Sequence, residues 1–213
     1  MKQTLWRPRL LKPGVFGASL MPLAVLAWQA VTDNLGANPI KEITEQTGLW
    51  TLRFVLITLT ITPARRLTGW NRLIQLRRML GLFAFFYGGL HFLTYVWLDQ
   101  FFVVQEIMAD VVTRPFITVG FLSFVLLIPL AVTSTTAMIK RLGGMWWQRL
   151  HRLVYGIAVG GVVHYLWLVK ADVRSPLMYG GLVALLLGYR GWVACRRRPH
   201  PVCTSRRHVT LRT

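Results

Sequence analysis

The stretch that decides the fold runs from Trp146 to His164 and begins Trp146-Trp147-Gln148-Arg149-Leu150-His151-Arg152-Leu153-Val154-Tyr155. A basic segment here meets an apolar run, and a second histidine, His164, lies inside that run. A third histidine, His91, lies inside an earlier apolar run. Imidazole is costly in hydrocarbon and is retained there mainly for function. The pattern therefore predicts membrane-spanning helices that carry functional histidines.

The composition of the 213 residues is that of an integral membrane protein, with 54% hydrophobic and only 15% charged residues. Apolar runs long enough to cross a bilayer recur along the chain. We place six spans at residues 14–31, 48–62, 79–98, 115–132, 153–169 and 176–194. The predicted fold is an all-α, six-transmembrane helix bundle. It comprises a spanning domain at 14–194 between basic tails at 1–13 and 195–213.

Charge distribution orients the bundle. If six spans alternate, 20 of the 25 Lys and Arg residues fall on one face and all seven acidic residues on the other. Basic segments stay on the cytoplasmic side, so both termini are predicted to be cytoplasmic. Topology, with attraction to anionic membrane lipid, accounts for the net charge of +18, and a nucleic-acid role is disfavoured.

Helical rise places two of the histidines at the same depth. His91 lies about 20 Å beyond Arg78, and His164 lies about 18 Å beyond Arg152, at 1.5 Å per residue. Both spans run outward, so the two rings share a level in the outer half of the membrane. One haem needs two axial nitrogens arranged in this way. The alternatives are hydrogen-bonded packing histidines or a proton relay.

His151 is a candidate ligand for a second haem nearer the cytoplasm. It lies about 20 Å from His164 along a helix and about 140° away around a straight one. Either the helix bends near its start or His151 faces a different neighbour. At the matching depth in span three stand Arg77 and Arg78 rather than a histidine. This second site therefore lacks an evident partner ligand, and a wet interfacial imidazole is the alternative.

Glycine pairs and buried cations leave further alternatives open. Gly88-Gly89 and Gly160-Gly161 either make room for a flat macrocycle beside the histidines or serve close helix packing. Arg53 either reaches for the membrane interface or pairs with an anion such as a haem propionate. The same propionate role, or docking of an electron donor, is open to four further arginines, namely Arg77, Arg78, Arg149 and Arg152.

Several of these segments together resemble the YedZ/MsrQ family. They are Trp146 through Tyr155, the Leu76-Arg77-Arg78-Met79-Leu80-Gly81 segment, His91 and His164. The family comprises haem-binding membrane subunits of the bacterial periplasmic protein-methionine-sulfoxide reductase system, within the ferric-reductase-like transmembrane superfamily. The resemblance implies haem b, an association with FMN, and location in the bacterial inner membrane. It also implies electron delivery to a periplasmic molybdopterin catalytic subunit.

The chain departs from the wider superfamily in two respects. Two histidines on each of spans three and five hold two haems there, whereas an arginine replaces one of them here. No GxGxxG pattern or fused flavin domain follows the last span, so the expected donor is a separate flavin reductase or quinol. The chain is thus predicted to be an electron-transfer subunit rather than the catalytic one. The alternatives are a stand-alone haem reductase of ferric chelates or quinols and a haem-free proton-coupled transporter.

Overall fold

A computed structural model describes residues 11–169 and 171–196, and these residues are almost entirely helical. The α-helices are α1 Leu11–Val31, α2 Pro39–Thr68, α3 Ile74–Thr94, α4 Val104–Thr113, α5 Pro115–Val132, α6 Thr136–Leu142, α7 Gly144–Leu150, α8 Leu153–Leu168 and α9 Arg174–Arg196. A 3-10 turn, Asn71–Leu73, precedes α3, and a π-helical turn, Tyr95–Asp99, follows it. The basic tails predicted at 1–13 and 195–213 fall mostly outside the described residues, as do His200, His208 and Cys203.

Five segments of the described chain are long and apolar enough to cross a membrane: α1, α2, the segment Asn71–Asp99, α5 and α9. The predicted fifth span corresponds to α8, which has 16 residues and packs against α5 and α9. The all-helical membrane fold is thus confirmed. The count of six spans and the cytoplasmic position of the termini stay predictions. We call the end of the bundle that carries the 69–73 and 133–152 connections the basic end, and the opposite end the acidic end.

The helix that contains the predicted second span, 48–62, does not end at Pro63 but continues to Thr68. A proline inside a helix leaves the carbonyl four residues earlier without its amide donor. Here that carbonyl belongs to Leu59, and it accepts a hydrogen bond of 2.8 Å from Arg190 Nη2 on α9. A side chain from a neighbouring helix thus replaces the missing backbone donor and lets α2 run on.

The core lies where α2 packs along α3 and where α8 closes against them. Leu59 and Ala158 are fully buried, and Tyr87 is 1% exposed. The rings of Phe54 and Tyr87 stack with centroids 5.2 Å apart. This packing fixes α2 and α3 relative to each other and so fixes the position of His91, one helical turn after Tyr87.

Tyr87 also attaches α1 to the bundle. Its hydroxyl donates to the Ser19 carbonyl at 2.9 Å and accepts from the Leu23 amide at 3.2 Å. Those two backbone groups would pair with each other in a regular helix. The insertion occurs beside Pro22, where the ring of the proline disturbs the local helix. The buried Tyr87 hydroxyl therefore replaces one backbone hydrogen bond of α1.

The acidic-end loop before α4 exposes apolar side chains. Phe101 and Phe102 are 74% and 57% exposed and adopt positive φ angles of 47° and 62°. The Asp110 carboxylate accepts hydrogen bonds from the Tyr95 hydroxyl at 3.1 Å and from Gln100 Nε2 at 3.0 Å. It also forms a salt bridge of 3.1 Å with Arg114. Because these rings are apolar and exposed, we expect residues 101–104 to rest on the membrane surface.

Candidate haem site

The structure brings His91 of α3 and His164 of α8 side by side. Their ring centroids are 6.1 Å apart and their planes are inclined by 76°. An iron atom bound to two imidazole nitrogens at about 2 Å each places the ring centroids about 6 Å apart. The observed separation therefore matches what one axially ligated iron requires.

Each ring is fixed by a backbone carbonyl of a neighbouring helix. His91 Nδ1 lies 2.9 Å from the Thr44 carbonyl oxygen of α2, and His164 Nδ1 lies 2.7 Å from the Phe116 carbonyl oxygen of α5. A carbonyl can only accept, so each Nδ1 carries the proton and donates. In the neutral ring Nε2 is then unprotonated, which is the state that binds a metal.

Two glycines make these contacts sterically feasible. A Cβ at Gly48 would lie 3.0 Å from His91 Nδ1, and a Cβ at Gly120 would lie 2.7 Å from His164 Nδ1. Each glycine follows the accepting carbonyl by four residues, Thr44 before Gly48 and Phe116 before Gly120. The same arrangement, a carbonyl acceptor followed four residues later by a glycine, therefore positions His91 between α2 and α3 and His164 between α5 and α8.

These are not the glycines that the sequence singled out. A Cβ at Gly88 would make ordinary contact with Thr51 of α2, and one at Gly161 would do so with Leu52. A Cβ at Gly160 would collide with Ser123 of α5. Close helix packing therefore describes all three, whereas Gly89 faces open space.

His151 lies at the basic end, at the junction between two helices. It caps the C-terminus of α7, and α8 begins only at Leu153. Of the two alternatives, a bend near the start of the helix is the one observed, because His151 and His164 lie on either side of the break between α7 and α8. His151 Nε2 lies 3.2 Å from Thr133 Oγ1, and the Trp147 ring packs 4.1 Å away.

A cavity of about 440 Å³ adjoins His151. Its polar and charged lining residues are Thr58, Arg77, Arg78, Ser134, Gln148, His151, Arg152 and Tyr155. Burial, and then the nearby charge of Arg77, lower the pKa of His151 below its usual value, which favours a neutral ring at neutral pH. Of the residues that line this cavity in the described chain, His151 is the one histidine.

Sequence comparison relates the chain to known proteins. Residues 47–162 match the model of a family described as ferric reductase like transmembrane component. Proteins from Herminiimonas arsenicoxydans and Rhodospirillum rubrum are 58% and 52% identical to this chain. The alignments cover 89% and 90% of the chain and 88% and 92% of the relatives. Both are named protein-methionine-sulfoxide reductase heme-binding subunit MsrQ.

The chain belongs to the MsrQ family. A third relative, from Azospira oryzae, has the same name and is 52% identical over 84% of the chain and 78% of its own length. The resemblance drawn from the histidines and their flanking residues is thus confirmed. The matched family region includes Gly48, His91 and His151 and stops two residues before His164.

Two arginines of this MsrQ-family chain have partners that the sequence did not reveal. Arg53 Nε donates to the Tyr179 hydroxyl at 2.9 Å, and its guanidinium lies 4.7 Å from the Trp50 ring centroid. Neither interpretation of Arg53 anticipated this link between α2 and α9. Arg190 donates from Nη1 to the Tyr155 hydroxyl at 2.8 Å as well as to Leu59. These bonds depend on which helices become neighbours, which a single sequence does not state.

Proposed function

We propose that this chain is the haem-binding electron-transfer subunit of a protein-methionine-sulfoxide reductase. The observation that carries the proposal is the His91–His164 pair, with ring centroids 6.1 Å apart and both Nδ1 atoms engaged by carbonyls. Two side chains cannot complete the coordination of a free metal ion, whereas a haem supplies four nitrogens of its own. The relatives' names support haem as the bound group.

The residues present fit such a group. Gly48 and Gly120 let the two rings settle against helix backbone, and the Thr44 and Phe116 carbonyls select the tautomer that has Nε2 free. Neither cysteine belongs to a C-x-x-C-H motif, which disfavours a covalently attached haem, and the haem that we propose is haem b. A haem with two axial imidazoles supplies one-electron transfer. The chain contributes binding, fixed ring orientation and an apolar setting.

The direction of transfer follows from the topology proposed for the charges. With six spans and a cytoplasmic basic end, the His91–His164 site lies toward the periplasm of the inner membrane. Electrons enter from a cytoplasmic flavin reductase or from quinol and leave to a periplasmic molybdopterin subunit. That subunit reduces methionine sulfoxide in oxidised envelope proteins. The relatives' name, which calls them subunits of such a reductase, supports this partner.

The cavity beside His151 is the proposed site of a second redox group. Its position between the basic end and the outer pair suits a relay that receives electrons from the cytoplasmic side. His151 offers one axial ligand, and the partner ligand of a second haem has no histidine candidate among the described lining residues. FMN, implied by the family resemblance, is the other planar redox group that this cavity would receive.

One reconstitution experiment tests the proposed function. The purified chain is reduced anaerobically, and its haem absorption is followed after addition of the catalytic subunit of the system together with methionine sulfoxide. We expect rapid reoxidation that requires both additions. Reoxidation by ferric citrate alone, with none by the catalytic subunit, would identify a stand-alone reductase. A colourless, fully helical preparation would identify a haem-free transporter.

A further inference from the structure

The cavity beside His151 is surrounded by cations that no carboxylate balances. Arg77 and Tyr155 line the cavity, and Arg190 donates a hydrogen bond of 2.8 Å to the Tyr155 hydroxyl. Among the lining residues in the described chain none is acidic. Arg78 and Arg152 are exposed, so water can solvate their charges, whereas Arg77 is half-buried. A half-buried guanidinium is stabilised by a nearby negative charge. Arg77 therefore indicates where an anionic group of an occupant would lie.

Arg190 has an incomplete set of partners. Nη1 and Nη2 donate to Tyr155 and to Leu59, whereas Nε is buried and has no hydrogen-bond partner in the described part of the chain. The Leu59 bond has a structural reason in Pro63. The bond to Tyr155 links α9 to a residue of α8 that lines the cavity. Through this second bond Arg190 acts on a group that faces the cavity.

The bond from Arg190 determines what Tyr155 can do. The hydroxyl oxygen accepts from Arg190, so the hydroxyl hydrogen is directed elsewhere, and within the described residues it has no acceptor. Tyr155 lines the cavity. A phenol polarised by a guanidinium is a stronger donor to a negatively charged acceptor. Tyr155 and Arg77 therefore present donors and positive charge to the same space.

The remaining hydroxyls of the cavity are already occupied. Thr58 and Ser134 donate to carbonyls of their own helices, at 2.7 Å in both cases. The Trp147 indole donates to the Thr133 carbonyl at 3.0 Å. The groups left for a ligand are thus mainly donors, and a donor-rich lining selects an oxyanion.

We propose that Tyr155, oriented by Arg190, and Arg77 form an oxyanion site that holds the carboxylate or phosphate of a planar redox cofactor in the inner cavity. This inference rests on the proposed function and deepens one part of it, the second redox group proposed on the basic side of His91 and His164. The oxyanion has two sources, a haem propionate or the phosphate of flavin mononucleotide. Arg190 is a positioning residue that acts through Tyr155.

The principal test compares Tyr155→Phe with Tyr179→Phe. Tyr179 accepts from Arg53 as Tyr155 accepts from Arg190, but it does not line this cavity. Haem and flavin per chain are measured in purified protein before and after extended dilution. Loss of a charge-assisted hydrogen bond corresponds to a roughly tenfold faster loss of the inner cofactor. Tyr179→Phe should match the wild type, and so should the His91–His164 haem in both variants.

A second measurement uses charge at position 190. A buried cation stabilises the electron-rich form of a nearby redox group. We expect Arg190→Gln to lower the midpoint potential of the inner cofactor in a spectroelectrochemical titration, and Arg190→Lys to keep it near that of the wild type. The potential of the outer haem serves as the internal reference. A purely structural role for Arg190 would leave the inner potential unchanged in the protein that folds.

Pairs of ligands that differ only in the oxyanion distinguish its two possible sources. If a propionate is bound, reconstitution with haem dimethyl ester should reproduce the Tyr155→Phe defect in the wild-type chain. If a phosphate is bound, the chain should prefer flavin mononucleotide to riboflavin, and Tyr155→Phe should lose that preference.

Three results would overturn the inference. They are equal cofactor retention in Tyr155→Phe and wild type, a wild-type chain with the outer haem alone, and a cavity filled by lipid phosphate. In each case an intact outer haem would leave the proposed function standing.

Discussion

Gly120 of α5 lies directly against the imidazole of His164, so close that a Cβ at position 120 would be 2.7 Å from Nδ1. Gly48 has the same relationship to His91, with 3.0 Å to Nδ1. The two histidines are thus seated by glycines on other helices, and the placement of each ring depends on a residue that would not itself ligate the proposed haem iron.

Substitution of Gly120 by alanine should therefore displace His164 and impair haem binding. Overpacking of this kind costs about 1–3 kcal/mol, which corresponds to a roughly 5- to 150-fold loss of haem affinity. Haem per polypeptide after purification is the measurement. Gly89→Ala is the matched control, because a Cβ there meets open space. Equal haem content in the two variants would contradict the seating role of Gly120.

The bond between Arg190 and Leu59 predicts a coupling between Arg190 and Pro63. Arg190→Met leaves the Leu59 carbonyl without a donor and should lower stability by about 1–3 kcal/mol. Pro63→Ala restores an amide donor to that carbonyl within α2. We expect the cost of Arg190→Met to be smaller in the Pro63→Ala background.

Thermal unfolding in detergent, followed by helicity for the wild type, both single variants and the double variant, measures this coupling. If the two substitutions change the unfolding free energy additively, the Leu59 carbonyl does not couple Arg190 to Pro63.

Replacement of His151 by alanine should impair the inner proposed site and leave the His91–His164 site intact. The His91–His164 haem, held by α3 and α8, should retain its reduced-minus-oxidised spectrum and its amount per chain. Any cofactor of the inner cavity that uses His151 as a ligand should be lost. Loss of the outer haem in this variant would instead show that the two sites do not bind independently.

The proposed topology predicts opposite accessibility at the two ends of the bundle. Glu106 and Lys140 are exposed, at the acidic and basic ends respectively. In a background with Cys195→Ser and Cys203→Ser, Glu106→Cys should react with a membrane-impermeant maleimide in intact spheroplasts. Lys140→Cys should react only after the membrane is opened. The reverse labelling pattern would invert the assignment of cytoplasmic and periplasmic faces.

The residues of the outer site were predictable because a helix has a fixed rise. Counting from Arg78 and from Arg152 placed His91 and His164 at one depth, and the structure brings them together. The helical class and the membrane character followed from the apolar runs in the same way.

The seating of the two rings could not be predicted, because Thr44 and Phe116 contribute backbone carbonyls that any residue would offer. Gly48 and Gly120 looked no different from the glycines that only pack helices. The carbonyl and glycine spacing of four residues is informative once the partner helix is known, and a single sequence does not state which helices are neighbours.

Two features of the helices depend on contacts that the sequence does not state. Helix α2 continues past Pro63 because the charged side chain of Arg190, more than a hundred residues later, satisfies the carbonyl that Pro63 leaves open. The angular mismatch between His151 and His164 assumed one straight helix. The chain instead turns between α7 and α8, so the two histidines belong to different elements.

The most direct test of the account is chemical rescue of a missing axial ligand. His91→Gly should yield a chain with little outer haem, and free imidazole should restore the low-spin, six-coordinate spectrum because it can occupy the space of the lost ring. His164→Gly should behave in the same way, and His200→Gly should need no rescue. An outer haem that is fully bound and low-spin in His91→Gly without imidazole would contradict the claim that His91 and His164 hold the iron between them.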